Sequence, residues 1–265
     1  MGDPAPVRVE VDEEPRWADA VAERFCARLR QRPRLRVCLP TGRTPRGPYA
    51  AIAERVAGGQ ASLAEAEVLL LDEFGGLAPD DPARCATMLA RDLLDRLDAA
   101  PAAVHQLDPD ADDLAAECAR YRRVVADGGL DLCLLGIGAN GHVGLNEPGS
   151  APDAPTRRVA LAPETIAAAR DYGGSDAPRW GLTLGMAEIL EAREVWLLVA
   201  GGHKAEVLAE ALEGPATPEL PASLLRGHTR LLVLADEPAA ERLSASLRSP
   251  AGNDEIIHGG PRHGG

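Results

Sequence analysis

Five short apolar runs constrain this chain more than any other feature: LRVCLP (35–40), EVLLLD (67–72), LDLCLLG (130–136), EVWLLVA (194–200) and RLLVLA (230–235). None alternates polar with apolar residues, so each suits a strand buried on both faces. Between them lie Ala-, Arg- and Glu-rich stretches with helical spacing. Trp17, Val21, Phe25 and Leu29 step by four along one helix face. TMLARDLLDRLDAA (87–100), DDLAAECARYRRVVADG (112–128) and KAEVLAEALEG (204–214) also read as helices, the last ending at a Gly. Strand–helix alternation predicts an α/β fold: a Rossmann-like, mostly parallel sheet with helices on both faces, three layers in all. Its crossovers should be right-handed. Residues 1–248 read as one domain. The Gly- and Pro-rich stretch 249–265 reads as a loose tail, in which His258 and His263 suggest no metal site.

Charge and composition exclude several classes. The net charge is −13 and aromatics make up 3% of the chain. A nucleic-acid binder needs a basic footprint, and single-strand binders need aromatic platforms; neither is visible. No apolar stretch approaches the ~18 residues of a membrane span, and MGDPAPVRVEVDEEP has no apolar core of a signal peptide. The five cysteines, Cys26, Cys38, Cys85, Cys118 and Cys133, form no C-x-x-C. An odd, scattered set argues against a disulfide framework and for a reducing cytoplasm. Cys38 and Cys133 sit inside apolar runs and read as buried small hydrophobes.

In such folds ligands bind beyond the carboxyl ends of the strands. The residues that follow the first four runs are PTGRTPRGPY, DEFGG, GIGANGHVGLNEPG and GGHKA, all polar or glycine-rich. Thr41, Gly42, Arg43 and Thr44 offer two hydroxyls, a cation and a flexible turn. Thr44-Pro45 should open a helix with Pro at its first position, which makes an anion site. The segment is neither a Walker A loop nor G-x-G-x-x-G, and a plain strand–turn–helix junction is an equal reading. Lys204 stands at another strand-to-helix junction, as a second cation for a phosphate or as a helix-start lysine; His203 reads as surface.

Asp72 and Glu73 close the second run. Neighbours on an extended chain point to opposite faces. One carboxylate can enter the cleft as a general base while the other turns to structure; both could instead cap the next helix. His142 supplies an acid or base for neutral pH. Glu147 can orient it or hold substrate, and Asn140 can hydrogen-bond the imidazole or a sugar hydroxyl. Gly136, Gly138 and Gly141 let backbone approach a ligand. A zinc site is disfavoured, because no further ligands have suitable spacing.

The ordered set LPTGRTP, LLDEFGGL, LLGIGANGHVGLNEPGS, TRRVALAPETIAAAR, LTLGMAEILEAREVWLLVAGGHKA and DEPAAERL resembles the glucosamine-6-phosphate deaminases, from about residue 8 to about residue 245. The related 6-phosphogluconolactonases share the Gly-His core but follow it with Thr-Ala-Ser-Leu-Phe-Pro, where this chain has Asn146-Glu147-Pro148. The resemblance implies conversion of D-glucosamine 6-phosphate and water to D-fructose 6-phosphate and ammonia, with a sugar phosphate as partner and no metal or organic cofactor. By motif match Asp72 falls on the enolisation base and His142 on the ring-opening acid/base. Asn140 and Glu147 fall on its supports. Thr41 to Thr44, Arg170 and Lys204 fall on the phosphate site, and Gly138 lies on the substrate loop.

There are departures. Many members of that family have Asp where this chain has Asn140. An activator-site Lys after the Thr-Arg pair is missing, since the chain reads Thr156-Arg157-Arg158-Val159-Ala160. PARCATML (82–89) lacks the Ser-Tyr-Tyr often found there. Activation by an amino sugar is therefore not expected, and homo-oligomer formation stays open. The competing readings are a 6-phosphogluconolactonase-like hydrolase, a deaminase or isomerase for another amino-sugar phosphate, and a sugar-phosphate sensor. The sensor normally carries an N-terminal helix-turn-helix, which is not seen here.

Overall fold

The computed structural model describes residues 7–174 and 176–250. Of the expected tail, residues 251–265 lie outside the described residues, and so do both of its histidines.

Eleven strands form two sheets among the described residues: β1 (Arg8–Asp12), β2 (Arg36–Leu39), β3 (Glu67–Leu70), β4 (Asp72–Gly75), β5 (Ala103–His105), β6 (Leu132–Gly136), β7 (Arg157–Ala160), β8 (Trp180–Thr183), β9 (Val195–Val199), β10 (Leu231–Asp236) and β11 (Ser249–Pro250). The large sheet runs β11-β1-β10-β9-β6-β2-β3-β5, and every pairing in it is parallel. All five apolar runs are strands of this sheet, as their composition predicts. Their side chains divide between two cores, which is why the runs do not alternate. Val37, Leu39, Leu132, Leu134, Trp196 and Leu198 face one core; Cys38, Cys133, Leu135, Val195, Leu197 and Val199 face the other.

Helices cover both faces: α1 (Glu14–Gln31), α2 (Arg46–Ala57), α3 (Cys85–Asp92), α4 (Leu114–Ala126), α5 (Pro163–Ala169), α6 (Met186–Leu190), α7 (Ala205–Glu213), α8 (Pro221–Leu224) and α9 (Glu237–Ala240). Trp17, Val21, Phe25 and Leu29 of α1 pack into the same core as Tyr49 and Ile52 of α2. Cys118, Tyr121 and Val125 of α4 and Leu208 and Leu212 of α7 fill the opposite one. This is the three-layer α/β arrangement expected from the alternation. Two local expectations are corrected. The helix predicted over 87–100 ends at Asp92, because buried Leu93 leaves helical dihedrals (φ −136°) and a short 3-10 turn follows. Helix α2 begins at Arg46, so Pro45 is its cap residue and not its first position. No helix among the described residues is long and apolar enough to cross a membrane.

Strand order locates the cleft. From β2 the chain adds β3 and then β5 on one side; from β6 it adds β9 and β10 on the other. The direction of winding therefore reverses between β2 and β6. Loops leaving these two neighbours must part in opposite directions, which opens a crevice at their carboxyl ends. Residues 40–45 and 137–150 emerge there.

The small sheet, β4-β8-β7, is antiparallel. The chain quits the large sheet at Leu70 and starts the small one at Asp72. Leu71 is the hinge: its N–H donates to the Leu39 carbonyl at 3.1 Å, and its own carbonyl accepts from the Leu184 N–H at 2.8 Å. Asp72 is thus the first residue of β4, paired with Thr183, not the last residue of a core strand.

Candidate active site

The loop after β6 holds His142 and Glu147. Gly141 has φ +83°, and its N–H donates to the Gly138 carbonyl at 3.0 Å, closing a tight turn. The Gly138 N–H donates to the His142 carbonyl at 2.9 Å. The imidazole then lies directly on Gly138, where a Cβ would come within 2.4–2.5 Å of the ring. Only glycine admits the ring there. Nδ1 of His142 is 3.3 Å from Glu147 Oε2 and 3.2 Å from the Thr165 hydroxyl. Both contacts fall on the same nitrogen, which leaves Nε2 for a ligand.

Asn140 makes no bond to the imidazole, one of the two partners the sequence left open to it. Its Nδ2 donates to Glu147 Oε2 at 2.9 Å, while its Oδ1 accepts the His142 backbone N–H at 3.2 Å. It therefore clamps the two ends of the loop together, and it steers the imidazole only through Glu147. The other oxygen of Glu147 accepts the Ala162 N–H at 3.1 Å. Burial pushes the Glu147 pKa up, but donors from His142, Thr165 and Asn140 outweigh it and hold the group down at about 2. Glu147 is a fixed negative charge at neutral pH.

Asp72 is 7% exposed. Burial raises its pKa to about 6, against a thiol hydrogen bond from Cys85 and the charge of nearby His142. Burial pushes the Cys85 thiol well up, the charges of Asp72 and Glu73 add to that, and the Thr41 hydroxyl acts against it. Glu73, on the opposite face of β4, takes the structural part. It accepts backbone N–H groups of Phe74 and Cys85 at 2.8 Å and of Ala86 at 2.9 Å. Those bonds cap α3 and hold Cys85 beside Asp72. Burial raises the Glu73 pKa to about 7 in spite of these donors.

The far end of the cleft is cationic. Gly42 has φ +104° and faces the Tyr172 hydroxyl, which a Cβ would approach to 3.0 Å. Arg43 is exposed and paired with Asp171 at 3.2 Å. Burial depresses the Lys204 ammonium below its ordinary range, and the Arg43 guanidinium adds to that depression. Two cations from different loops, at the starts of α2 and α7, are therefore close enough for one to act on the other. Thr44 is part of the same turn and half-buried. Arg170 is exposed, at the start of the 3-10 turn Arg170–Tyr172; its neighbours Asp171 and Tyr172 are the residues that meet Arg43 and Gly42.

Thr165, Cys85 and Tyr172 were not singled out in the sequence. The first lies on a helix distant in sequence from the loop it serves. The second lay in a segment marked only by what it lacks. Each touches the site through tertiary packing, and no local pattern signals that.

Fold and cleft together define a doubly wound α/β enzyme with an imidazole–carboxylate pair and a second, buried carboxylate at the switch point, and two cations beside them. The chain belongs to the family of glucosamine-6-phosphate isomerases and 6-phosphogluconolactonases, whose model matches residues 13–233. A glucosamine-6-phosphate deaminase of Rhodopirellula baltica is 38% identical to it over 92% of this chain and 98% of the relative. A solved structure described as a monomeric glucosamine-6-phosphate deaminase superposes with a TM-score of 0.85 at 32% identity, covering 89% of this chain and 100% of its own. A 6-phosphogluconolactonase of Thermotoga maritima superposes with a TM-score of 0.70 at 22% identity, covering 87% of this chain and 99% of its own; that likeness concerns the fold alone.

Proposed function

We propose that this protein is a glucosamine-6-phosphate deaminase, converting D-glucosamine 6-phosphate and water to D-fructose 6-phosphate and ammonia. One observation carries the reading: a single cleft holds an imidazole backed by ionised Glu147 and, separately, a buried carboxylate, Asp72, whose pKa stands at about 6. Opening a sugar ring and then moving a proton between carbons needs two such groups. A lactonase needs water activation at one ester carbon and has no use for the second.

In this mechanism the sugar phosphate binds with its phosphate between the turn 41–44 and Lys204, and C1 and C2 lie between His142 and Asp72. Phosphate contacts far from the reacting carbons supply binding energy that holds them in register. Nε2 of His142 protonates the ring oxygen as the anomeric hydroxyl loses its proton, and the ring opens. Asp72 takes the C2 proton, O1 gains one, and Asp72 returns its proton to C1. C2 is then an iminium carbon; water adds and ammonia leaves. Every step is a proton transfer, a hydration or an elimination. The five free, buried thiols support a reducing cytoplasm as the site of action.

The test is release of ammonia and ketose 6-phosphate from glucosamine 6-phosphate and galactosamine 6-phosphate, side by side, with 6-phosphogluconolactone hydrolysis as the control. Ammonia from the gluco epimer is expected. Lactone hydrolysis without ammonia release would overturn the reading.

A further inference from the structure

Asp236 ends β10 and is 3% exposed. Its carboxylate caps α9 in the ordinary way, accepting the Ala239 N–H at 2.8 Å. It does more than a cap requires. Both of its oxygens also accept the N–H of Gly201, at 3.0 and 2.8 Å, across a gap of 35 residues. Gly201 sits at φ +90°, and a Cβ there would strike the His203 ring at 2.8–2.9 Å. The carbonyl of Gly201 in turn accepts the Lys204 N–H at 2.9 Å. Asp236 thus holds Gly201 by its N–H, and the carbonyl of the same residue holds the backbone from which Lys204 projects. Parallel register explains the reach: Ala235 lies opposite Val199, so the two strands end together.

Charge points the same way. Lys204 is half-buried, and burial first and the Arg43 guanidinium second depress its ammonium below its ordinary range. Arg43 acts against the Lys204 charge in spite of its own pairing with Asp171, so the loop that carries Lys204 depends on its backbone bonds to hold its place. One carboxylate oxygen is enough to cap α9; the further bonds to Gly201 are what tie the 201–204 turn to the end of β10.

We infer that Asp236 is a positioning residue for the anion corner: it fixes the turn 201–204 so that Lys204 meets the phosphate of the substrate. This rests on the assignment of Lys204 to the phosphate given above. It adds a residue behind the loop that touches neither the phosphate nor the reacting carbons.

The test reads phosphate binding without turnover. Calorimetric titration with inorganic phosphate compares wild type, Asp236→Asn, Lys204→Ala and the double variant. Asp236→Asn is expected to weaken binding about tenfold, the size of a lost charge-assisted contact. In the Lys204→Ala background the same change should alter binding by less than about twofold, because the two act as one unit. In steady-state kinetics the loss should fall on KM for glucosamine 6-phosphate and not on kcat. Gly201→Ala, which strains the same turn and leaves the carboxylate in place, should reproduce the weakened binding even if Asp236→Asn does not fold. Full additivity of the two substitutions, or a loss confined to kcat, overturns the inference. Because phosphate binding is measured apart from the reaction, a protein that binds phosphate as expected but releases no ammonia would overturn the proposed function and leave this inference standing.

Discussion

Two carboxylates face one cleft and titrate in opposite directions. Asp72 is raised to about 6, and Glu147 is lowered to about 2. Asp72 is the more deeply buried, at 7% exposed, and Glu147 less so, with 12% of its side chain exposed. For both, burial is the largest single influence, and it acts upward on each. Depth of burial and the number of partners together separate them. Glu147 has the imidazole, a hydroxyl, an amide and a backbone N–H. Asp72 has one weak thiol donor and the charge of nearby His142. The lesson is that burial sets the cost of ionisation while donors decide whether it is met. The division suits the proposed reaction. A group that must accept and return a proton needs a pKa near the working pH, and a group that orients an imidazole must never lose its charge.

Asp72→Asn tests the contrast most severely. The amide keeps the shape but cannot accept the C2 proton, so turnover should fall roughly 10²–10⁴-fold, with binding little changed. Its stability should move the other way. A folded pKa near 6, above an unfolded value near 3.9, means that ionisation costs stability. That cost builds as pH rises from about 4 through 6 and is full at pH 7. Removing it should stabilise the fold at pH 7 by an amount on the order of 3 kcal/mol and so raise the melting temperature. Glu147→Gln should do the reverse. Its depressed pKa contributes stability that is complete above about 4.5 and is lost as pH falls through 2, so the variant should melt lower at pH 7. Melting curves for the two variants that shift in the same direction would break the comparison. An Asp72→Asn enzyme within a few-fold of wild type would remove Asp72 as the base.

Lys204→Ala sharpens the comparison by leaving both carboxylates alone. A lost charge-assisted contact of about 1.5–3 kcal/mol should raise KM for the sugar phosphate by roughly 10–100-fold. Both limbs of the pH–rate profile should stay in place. Unphosphorylated glucosamine should be a very poor substrate. Equal rates on the two sugars would remove the phosphate assignment.

The large sheet was legible because its strands are buried on both faces, and a continuous apolar run is the direct trace of that environment. Strands β1, β5 and the whole small sheet were not. RRVA of β7 and AVH of β5 are short, lie at sheet edges and keep polar or partly exposed positions, so burial leaves little pattern on them. The site divides in the same way. His142 and Glu147 stand in a loop that follows a readable strand, and Asp72 opens the strand that follows another. Thr165 and Cys85 arrive from helices whose own spacing is unremarkable, and the exchange of Asn140 from the imidazole to Glu147 depends on a side-chain rotamer that no sequence pattern encodes. Cys85 makes this testable. It gives Asp72 its one direct donor, so Cys85→Ala should push the Asp72 pKa further up and move the acidic limb of kcat/KM to higher pH. Cys85→Ser should restore the limb. An unmoved limb in the Ala variant would show that burial alone sets the base.

The smallest expected effect belongs to Asn140. Its amide donates to Glu147 at 2.9 Å and keeps that carboxylate ionised without adding charge. An Asp at this position would withdraw a donor and set a second negative charge against Glu147. Like charges so close cannot both ionise freely, so the loop must take up a proton more readily, on the carboxylate pair or on the imidazole. The acidic limb of the pH–rate profile should then rise, because the imidazole stays protonated to higher pH or its partner loses its charge. The hydrogen bond from the His142 backbone N–H, at 3.2 Å to Asn140 Oδ1, survives the exchange, since a carboxylate accepts as well as an amide oxygen. The loop should keep its shape, and the rate on the plateau should change by only a few-fold. Asn140→Asp is thus expected to preserve activity and shift only where it begins. Circular dichroism and the full pH–rate profile of both proteins check this. If wild type is inactive and Asn140→Asp restores deamination, Asn140 is the lesion of a retired site. If the limb moves down, Glu147 is not the carboxylate that answers to this side chain.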